Sequence, residues 1–536
     1  METFIYKNAD IVTMDPSRPK AEACLVLGDR FIAVGSLDEL RNMAPAGTTE
    51  IDLGGRTMIP GLIETHNHLS FYALTLFMAD CSPFANRSLD DVKSAIHKQA
   101  QNTGPGGWIM GWGYDDTFGP EFRRLNRADL DEAALENPVM ILHASGHLSY
   151  VNSLSLSMAG ITRDTPQPDG GHIHMDESGE PSGLLLEPGA MTMVANLLPK
   201  QDHNLFKVAL PEAMARYNQA GITSVHDAAV GMLGQGQVAY RAYRELEAEG
   251  RLGLRVYMTT MFDYYDELVK VGLGPGFGSD FLRIGSVKMY QDGSIQGYTG
   301  ALRQDYFTVP GERGMLIMPQ ENLDALVERF HKEGFQIAVH GNGDGAIESI
   351  ITAFERAQAK YPQPVLRHMI IHCQMATDDH IARMKALGIV PSYFPNHVFY
   401  WGDRHKAIFL GPERAARIDP LGSSVRAGLK FTLHADTPVT PISPLHSMHC
   451  AVNRLTRSGE LLGPDERISP YDALKAFTID AAYASFEEKI KGSITPGKLA
   501  DFAVLDQNPL EVAPETIKGI QVLQTVVGGK TVYQAD

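Results

Sequence analysis

Residues 64–69 read Glu-Thr-His-Asn-His-Leu, at the end of the apolar run RTMIPGLIETHNHL. Side chains two apart on a strand share a face, so His66 and His68 lie side by side, spaced to share one ligand. Imidazole is a common metal ligand, and a bound cation is the chemistry such a pair suggests. The competing reading is two hydrogen-bonded histidines at a strand end, and the rest of the chain must decide. Further apolar runs carry a polar group near their ends: Lys288 in IGSVKMYQDG, His340 in FQIAVHGNGDG, His372 in RHMIIHCQ and Asp436 in LKFTLHADTP. Taken singly, such a histidine is a satisfied structural residue, Lys288 half of a buried ion pair and Asp436 a helix cap. Six of them at matching depth describe a site.

The elements that must hold these residues are legible as alternating strands and helices. Eight runs (MIPGLIETHNH, GITSVHDA, LRVYMTTM, IGSVKMYQDG, FQIAVHGNGDG, RHMIIHCQ, GIVPSYFPN and LKFTLHADTP) are continuously hydrophobic, as parallel strands buried on both faces are. Helix starts lie among them. Ser88 precedes LDDVKSAIHKQ with Asp91 at the capping-box position, and Ser469-Pro470 opens PYDALKAFTIDAA. The predicted fold class is therefore α/β, a closed (β/α)8 TIM barrel over residues 59–489 whose chemistry sits at the C-terminal ends of the strands. Both chain ends, 1–58 and 490–536, are strand-rich and too short for separate cores, which predicts one small β-sandwich built from the two. Residues 80–205 separate the first barrel strand from the second and contain GGWIMGWGYDDTFGP, ILHASGHLSYVNSLSL and DGGHIHMDESGEPSGLLLE. They predict an inserted lid that shapes the substrate site above the barrel mouth.

The 536 residues exceed one compact core, and 44% hydrophobic with 21% charged residues is ordinary globular composition. A net charge of −17 argues against nucleic-acid and anionic-membrane partners. The four cysteines, with no CxxC pair, suggest reduced thiols. The opening METFIYKNADIVTMD lacks a signal-peptide pattern, and no apolar run approaches the roughly 18 residues of a membrane span, so a cytoplasmic location is expected. A homodimer is the candidate assembly.

The segments PGLIETHNH, GHLSYVNS, GGHIHMDESGEPSGLLLE, VKMYQDGS, AVHGNGDGAI, HADTPVTPISPL and GSITPGKLADFAVLD together resemble the amidohydrolase superfamily. The resemblance spans essentially the whole length and is nearest to the amidohydrolase 3, or YtcJ-like, branch that includes N-substituted formamide deformylases. It implies a metal-dependent (β/α)8 barrel with a β-sandwich from both termini. It also implies that His66, His68 and Asp436 ligate one metal, and that His340 and His372 ligate a second. Lys288 matches a lysine that captures CO2 as a carbamate bridging both ions. Burial favours that role, because it lowers the lysine pKa and makes the neutral, CO2-reactive amine accessible. Nitrogen and oxygen donors suit Zn2+ first, two per chain, with Mn2+, Fe2+, Co2+ or Ni2+ as alternatives. Two positions depart from the family pattern. Ile371 precedes His372 where a glutamate is expected, and His434-Ala435-Asp436 stands where relatives often read Gly-Ser-Asp.

The implied reaction is attack of a metal-bridging hydroxide on a carbonyl carbon, with Asp436 as general base and then acid. The bond is a non-peptide C–N bond of an amide, N-substituted formamide, carbamate or urea. Alternatives are a mononuclear-metal deaminase, a lactonase or esterase on the same site, and a silent barrel used for binding. His147 is a candidate donor to the carbonyl or its oxyanion. Candidate substrate contacts are Trp112, Tyr114, His226, Asp227, Gln291, Asp292, Tyr298, Phe394, Trp401 and His405. The aromatic run SYFPNHVFYWGDRH favours an apolar or aromatic substituent.

Overall fold

Among residues 2–119, 121–199, 202–231 and 236–535, which the computed structural model describes, the eight apolar runs pair in chain order as one parallel sheet. The strands are β1 (Leu62–Asn67), β2 (Ile222–Val230), β3 (Arg255–Met261), β4 (Leu282–Tyr290), β5 (Ile337–Gly341), β6 (Met369–His372), β7 (Val390–Tyr393) and β8 (Thr432–Leu433). Every residue of β1, β2, β5, β6 and β7 is buried, which is why these runs do not alternate. Outer helices such as His203–Gln219, Gln320–Lys332 and Asp344–Lys360 cover the sheet and share one apolar core with it.

No ladder joins β8 to β1 among the described residues. Side chains close that seam instead. Thr65 Oγ1 donates to Thr432 Oγ1 at 2.9 Å and meets the Leu433 carbonyl at 3.1 Å. Glu64 accepts from the Ala435 amide at 3.1 Å, and the His68 amide donates to the Thr437 carbonyl at 2.9 Å.

The chain ends form two sheets. One holds four strands, all from residues 3–52; in the other, Phe502–Leu505 pairs antiparallel with Thr57–Pro60, bringing the two ends of the chain together. Tyr6 and Phe31 from the first sheet pack on Phe502 from the second, at ring separations of 4.9 and 6.1 Å. Between β1 and β2 lies a six-stranded mixed sheet reaching from Ala79–Asp80 to Pro181–Leu186, with its own core around Ile96, Tyr114, Ile141 and Tyr150. The capping box at Ser88 and Asp91 opens the helix Leu89–Thr103 as expected. The run after Ser469 differs from a single helix: it breaks at Phe477-Thr478 into Pro470–Ala476 and Ile479–Ala484.

Candidate metal centre

The six strand-end residues sit at one end of the barrel, with differences in how the chain delivers them. His66 belongs to β1, whereas His68 lies just past it, opening the helix Leu69–Thr75. Lys288, His340 and His372 are in β4, β5 and β6. β8 stops at Leu433, so Asp436 stands in the following turn, with φ at +52° and its carbonyl accepting from the Val439 amide at 2.7 Å. His372 also has positive φ, at +67°. Side chains held in this sparsely populated region cluster at functional sites.

The donor atoms converge. One ligand atom each from His66, His372 and Asp436 lie within 4.8 Å of one another. His66 Nε2 and His68 Nε2 are 3.5 and 3.3 Å from Asp436 Oδ1, and His372 Nε2 is 3.9 Å from Oδ2. The rings of His340 and His372 are 4.6 Å apart. Fixed partners decide which nitrogen of each ring is free. His68 Nδ1 is 3.0 Å from the Ala228 carbonyl, an acceptor only, so that nitrogen carries the proton and Nε2 offers a lone pair inward. In His340 it is Nε2 that is engaged, 3.1 Å from both the Gly293 carbonyl and Asn342 Nδ2, so Nδ1 is the nitrogen left to face the centre. His372 Nδ1 is held by His434 Nε2 at 3.1 Å, leaving Nε2 for the centre.

Burial holds His66, His340 and His372 well below the usual histidine range, so all three stay neutral and able to ligate. Burial raises the Asp436 carboxyl, but His68, His434 and Lys288 outweigh it and hold the group below the ordinary aspartate value. Lys288 is fully buried, and its Nζ has no hydrogen-bond partner, lying 4.8 Å from the Tyr290 ring. Desolvation pulls its pKa down to about 7, against the opposing charge of Asp436. A charged ammonium left unpaired at this depth is costly, which favours the neutral amine, and the neutral imidazoles and the carboxylate beside it present nitrogen and oxygen lone pairs. The donor set therefore fits divalent metal.

His147 reaches the same space from the inserted sheet. Its ring lies 4.8 Å from that of His340, and its Nδ1 bonds Glu187 Oε2 at 2.8 Å. Sequence reasoning did not single out Glu187, although it ends the motif GGHIHMDESGEPSGLLLE. Glu64 and Ser392 were missed as well: Glu64 bridges the seam, and Ser392 Oγ holds His434 Nδ1 at 2.8 Å. Phe394 lies flat on His434 at 5.1 Å. Ile371, where a glutamate was expected, joins a small apolar cluster with Ala338, Met369 and Val390.

The other candidates divide. Trp112 packs on Phe71 and donates to the Pro438 carbonyl at 3.4 Å, two residues from Asp436. Trp401 Nε1 donates to Asp115 Oδ2 at 3.2 Å, fixing the indole near Phe394. Asp292 accepts the amides of Ala301, Asn342 and Gly343 at 2.8–2.9 Å and so braces the loops after β4 and β5; burial raises its pKa to about 7 despite those bonds. Tyr114 is not brought to the centre: it lies in the core of the inserted sheet and its hydroxyl donates to the Arg123 carbonyl. His226 is not brought there either. Its ring packs on Tyr257, four residues before Met261, the β3 residue in register with Lys288. Asp227 accepts from Ser70 and Tyr243, and Gln291 donates to Met318 and Ser349, so both serve packing outside the centre. Tyr298 and His405 pack around Phe409, at 5.0 and 5.8 Å.

A second group, Asp115, Asp116 and His143, also brings ligand-type atoms together. Arg404 already pairs with Asp115 at 3.3 Å and His143 with Asp116 at 3.2 Å, so this group is an ion-pair junction between the inserted sheet and the helix Asn396–Arg404.

The sequence pattern of the amidohydrolase family matches residues 49–533. The chain is 31% identical to N-substituted formamide deformylase from Arthrobacter pascens, covering 100% of this chain and 99% of that protein. It is also 31% identical to the protein LONG AFTER FAR-RED 3 of Arabidopsis thaliana, over 99% of this chain and 91% of that one. Among solved structures, a metal-dependent hydrolase from Pyrococcus furiosus superposes with a TM-score of 0.74 at 27% identity, over 95% of this chain and all of that one. A metal-dependent hydrolase from Pyrococcus horikoshii OT3 gives 0.77 at 24% identity, over 96% and 99%, and bears on the fold alone.

Proposed function

The chain belongs to the amidohydrolase family, and from that premise we propose that it hydrolyses a non-peptide C–N bond of an amide, N-substituted formamide, carbamate or urea at a dinuclear metal centre. The observation that carries this reading is Lys288 Nζ, buried without a hydrogen-bond partner and shifted toward neutrality, close enough for its charge to bear on His66, His340 and Asp436. In this reading His66, His68 and Asp436 would hold one ion and His340 and His372 the other, and Lys288, once carboxylated, would offer its carbamate oxygens as further ligands, with Zn2+ as the proposed metal. Two such ions, when bound, supply a water of lowered pKa and polarise the substrate carbonyl.

The chain's own residues do the rest. Asp436 accepts a proton at its carboxylate and returns it to the leaving nitrogen. As an imidazolium, with Nδ1–H held by Glu187, His147 would donate from Nε2 to the oxygen on which negative charge develops. Phe394, Trp401 and Trp112, buried in one apolar cluster, would present apolar surroundings to the substrate. The domain reading that accompanies this is a terminal sandwich (1–58 with 490–536), a barrel (59–489) and an inserted segment (80–205) over the mouth. The proposed partner is a small amide-like molecule, and the proposed location is the cytoplasm.

The test is a panel of formanilides, N-acyl amines, ureas and lactones offered to metal-loaded enzyme, with metal counted per chain. We expect turnover of at least one C–N class and two ions per chain. In Asp436→Asn the metal content should largely remain while kcat falls about 10²–10⁴-fold. Lactone turnover without any C–N hydrolysis, or full activity in Asp436→Asn, overturns the assignment.

A further inference from the structure

We propose that Glu187 is the positioning residue of the reaction centre: it sets the orientation and tautomer of His147, so that Nδ1 is the protonated nitrogen and Nε2 faces the metal-ligand cluster. This rests on the reading of the centre given above, and it assigns a role to a residue that no strand-end pattern reveals.

Four observations carry it. Glu187 is fully buried and its Oε2 lies 2.8 Å from His147 Nδ1. The backbones are joined as well, the Glu187 amide donating to the His147 carbonyl at 2.8 Å, so the two residues are tied twice across 40 positions of sequence. Glu187 has φ at +60°, in the left-handed region that a side chain bearing a Cβ rarely adopts. Its second oxygen, Oε1, has no hydrogen-bond partner, and a Cβ on Gly293 would stand 2.2 Å from it, so the glycine after Asp292 leaves room for the carboxylate.

These features suit a device for orientation better than one for stability. A buried carboxylate with a single side-chain bond costs more than an apolar residue of the same size. An imidazole hydrogen-bonded through Nδ1 to a carboxylate is fixed in rotation, and its Nε2 lies on the opposite edge of the ring. Here the His147 ring lies 4.8 Å from that of His340, one of the ligand candidates.

The experiment uses full-length holoenzyme as Glu187→Ala, Glu187→Gln, His147→Gln and the double variant Glu187→Ala/His147→Gln. The readouts are metal per chain, kcat and KM on the best amide of the panel, and long-range 1H–15N spectra of histidine-labelled protein. His147 signals are identified by their loss in His147→Gln. Glu187→Ala should lower kcat about 10–100-fold with metal content and KM within about twofold, and should change the His147 tautomer pattern. Glu187→Gln, whose side-chain oxygen can still accept from Nδ1–H, should keep the pattern and lose less than about tenfold. The double variant should be no slower than His147→Gln alone, because Glu187 acts through His147. Loss of the ions in Glu187→Ala, an unchanged His147 pattern, or a double variant markedly slower than His147→Gln overturns the proposal. If Glu187→Ala does not fold, Glu187→Gln decides: a retained pattern with less than about tenfold loss of kcat supports the role, and a changed pattern or a larger loss overturns it. If the wild-type enzyme hydrolyses no amide, the functional reading falls, while the spectra still settle whether Glu187 sets the His147 ring.

Discussion

His434 Nε2 lies 3.1 Å from His372 Nδ1, and His434 Nδ1 lies 2.8 Å from Ser392 Oγ. Ser392 in turn meets Thr65 Oγ1 at 3.1 Å, so a chain of polar side chains runs from β1 through β7 to a ligand on β6. Burial brings the His434 pKa down to about 3, which leaves a neutral ring with one proton to place between its two neighbours.

His434→Ala should free the His372 ring and weaken metal binding about 10–100-fold, and Ser392→Ala should weaken it less. Competition with a chromophoric chelator measures both. Unchanged affinity in His434→Ala would show that His372 is oriented by other contacts.

Lys288 gives a prediction in pH. Burial lowers its folded pKa to about 7, whereas an unfolded lysine titrates near 10.4. Below about 7 the folded amine is protonated and inert to CO2; above it the neutral amine predominates. At fixed dissolved 13CO2, the carbamate signal of metal-free protein should therefore grow between pH 6 and 8, with its midpoint near 7, and be absent in Lys288→Met. A 13C signal independent of Lys288 would contradict the assignment.

His226, outside the centre, predicts the acid limb of stability. Burial lowers its pKa to about 3, against about 6.5 when unfolded. The fold prefers the neutral ring, so this contribution is complete above pH 6.5 and is lost as pH falls toward 3. The slope is at most about 1.4 kcal/mol per pH unit for this one proton. His226→Phe should flatten the decline seen in urea unfolding at pH 7.5, 5.5 and 4.5. An equally steep decline in the variant would locate the acid sensitivity elsewhere, for instance at His368, which burial also lowers to about 3.

Much of this architecture was readable before any coordinates. Continuous apolar runs identified the eight strands because a parallel sheet covered on both faces has no polar side to alternate with. The polar ends of those runs identified the ligand candidates for the same reason: a histidine or lysine at the close of a buried strand needs a partner. Partners across the fold were not readable. Glu187 meets His147, and Ser392 meets His434, only through strand order and twist, which no local spacing encodes. Depth along the barrel axis was equally hidden. His226 shares the inward period of its strand yet packs on Tyr257, well below the level of Lys288. Tyr114 misled for another reason, since the inserted sheet needed large rings for its own interior.

Among the described residues the seam between β8 and β1 lacks a ladder and is spanned by Thr65, Glu64 and the His68 amide. His66 and His68 stand on one bank of that gap and Asp436 on the other. An ion gripped by all three would act as the clasp of the cylinder as well as its working part. Evolution could then not loosen the hold on metal without also slackening the circle that surrounds it.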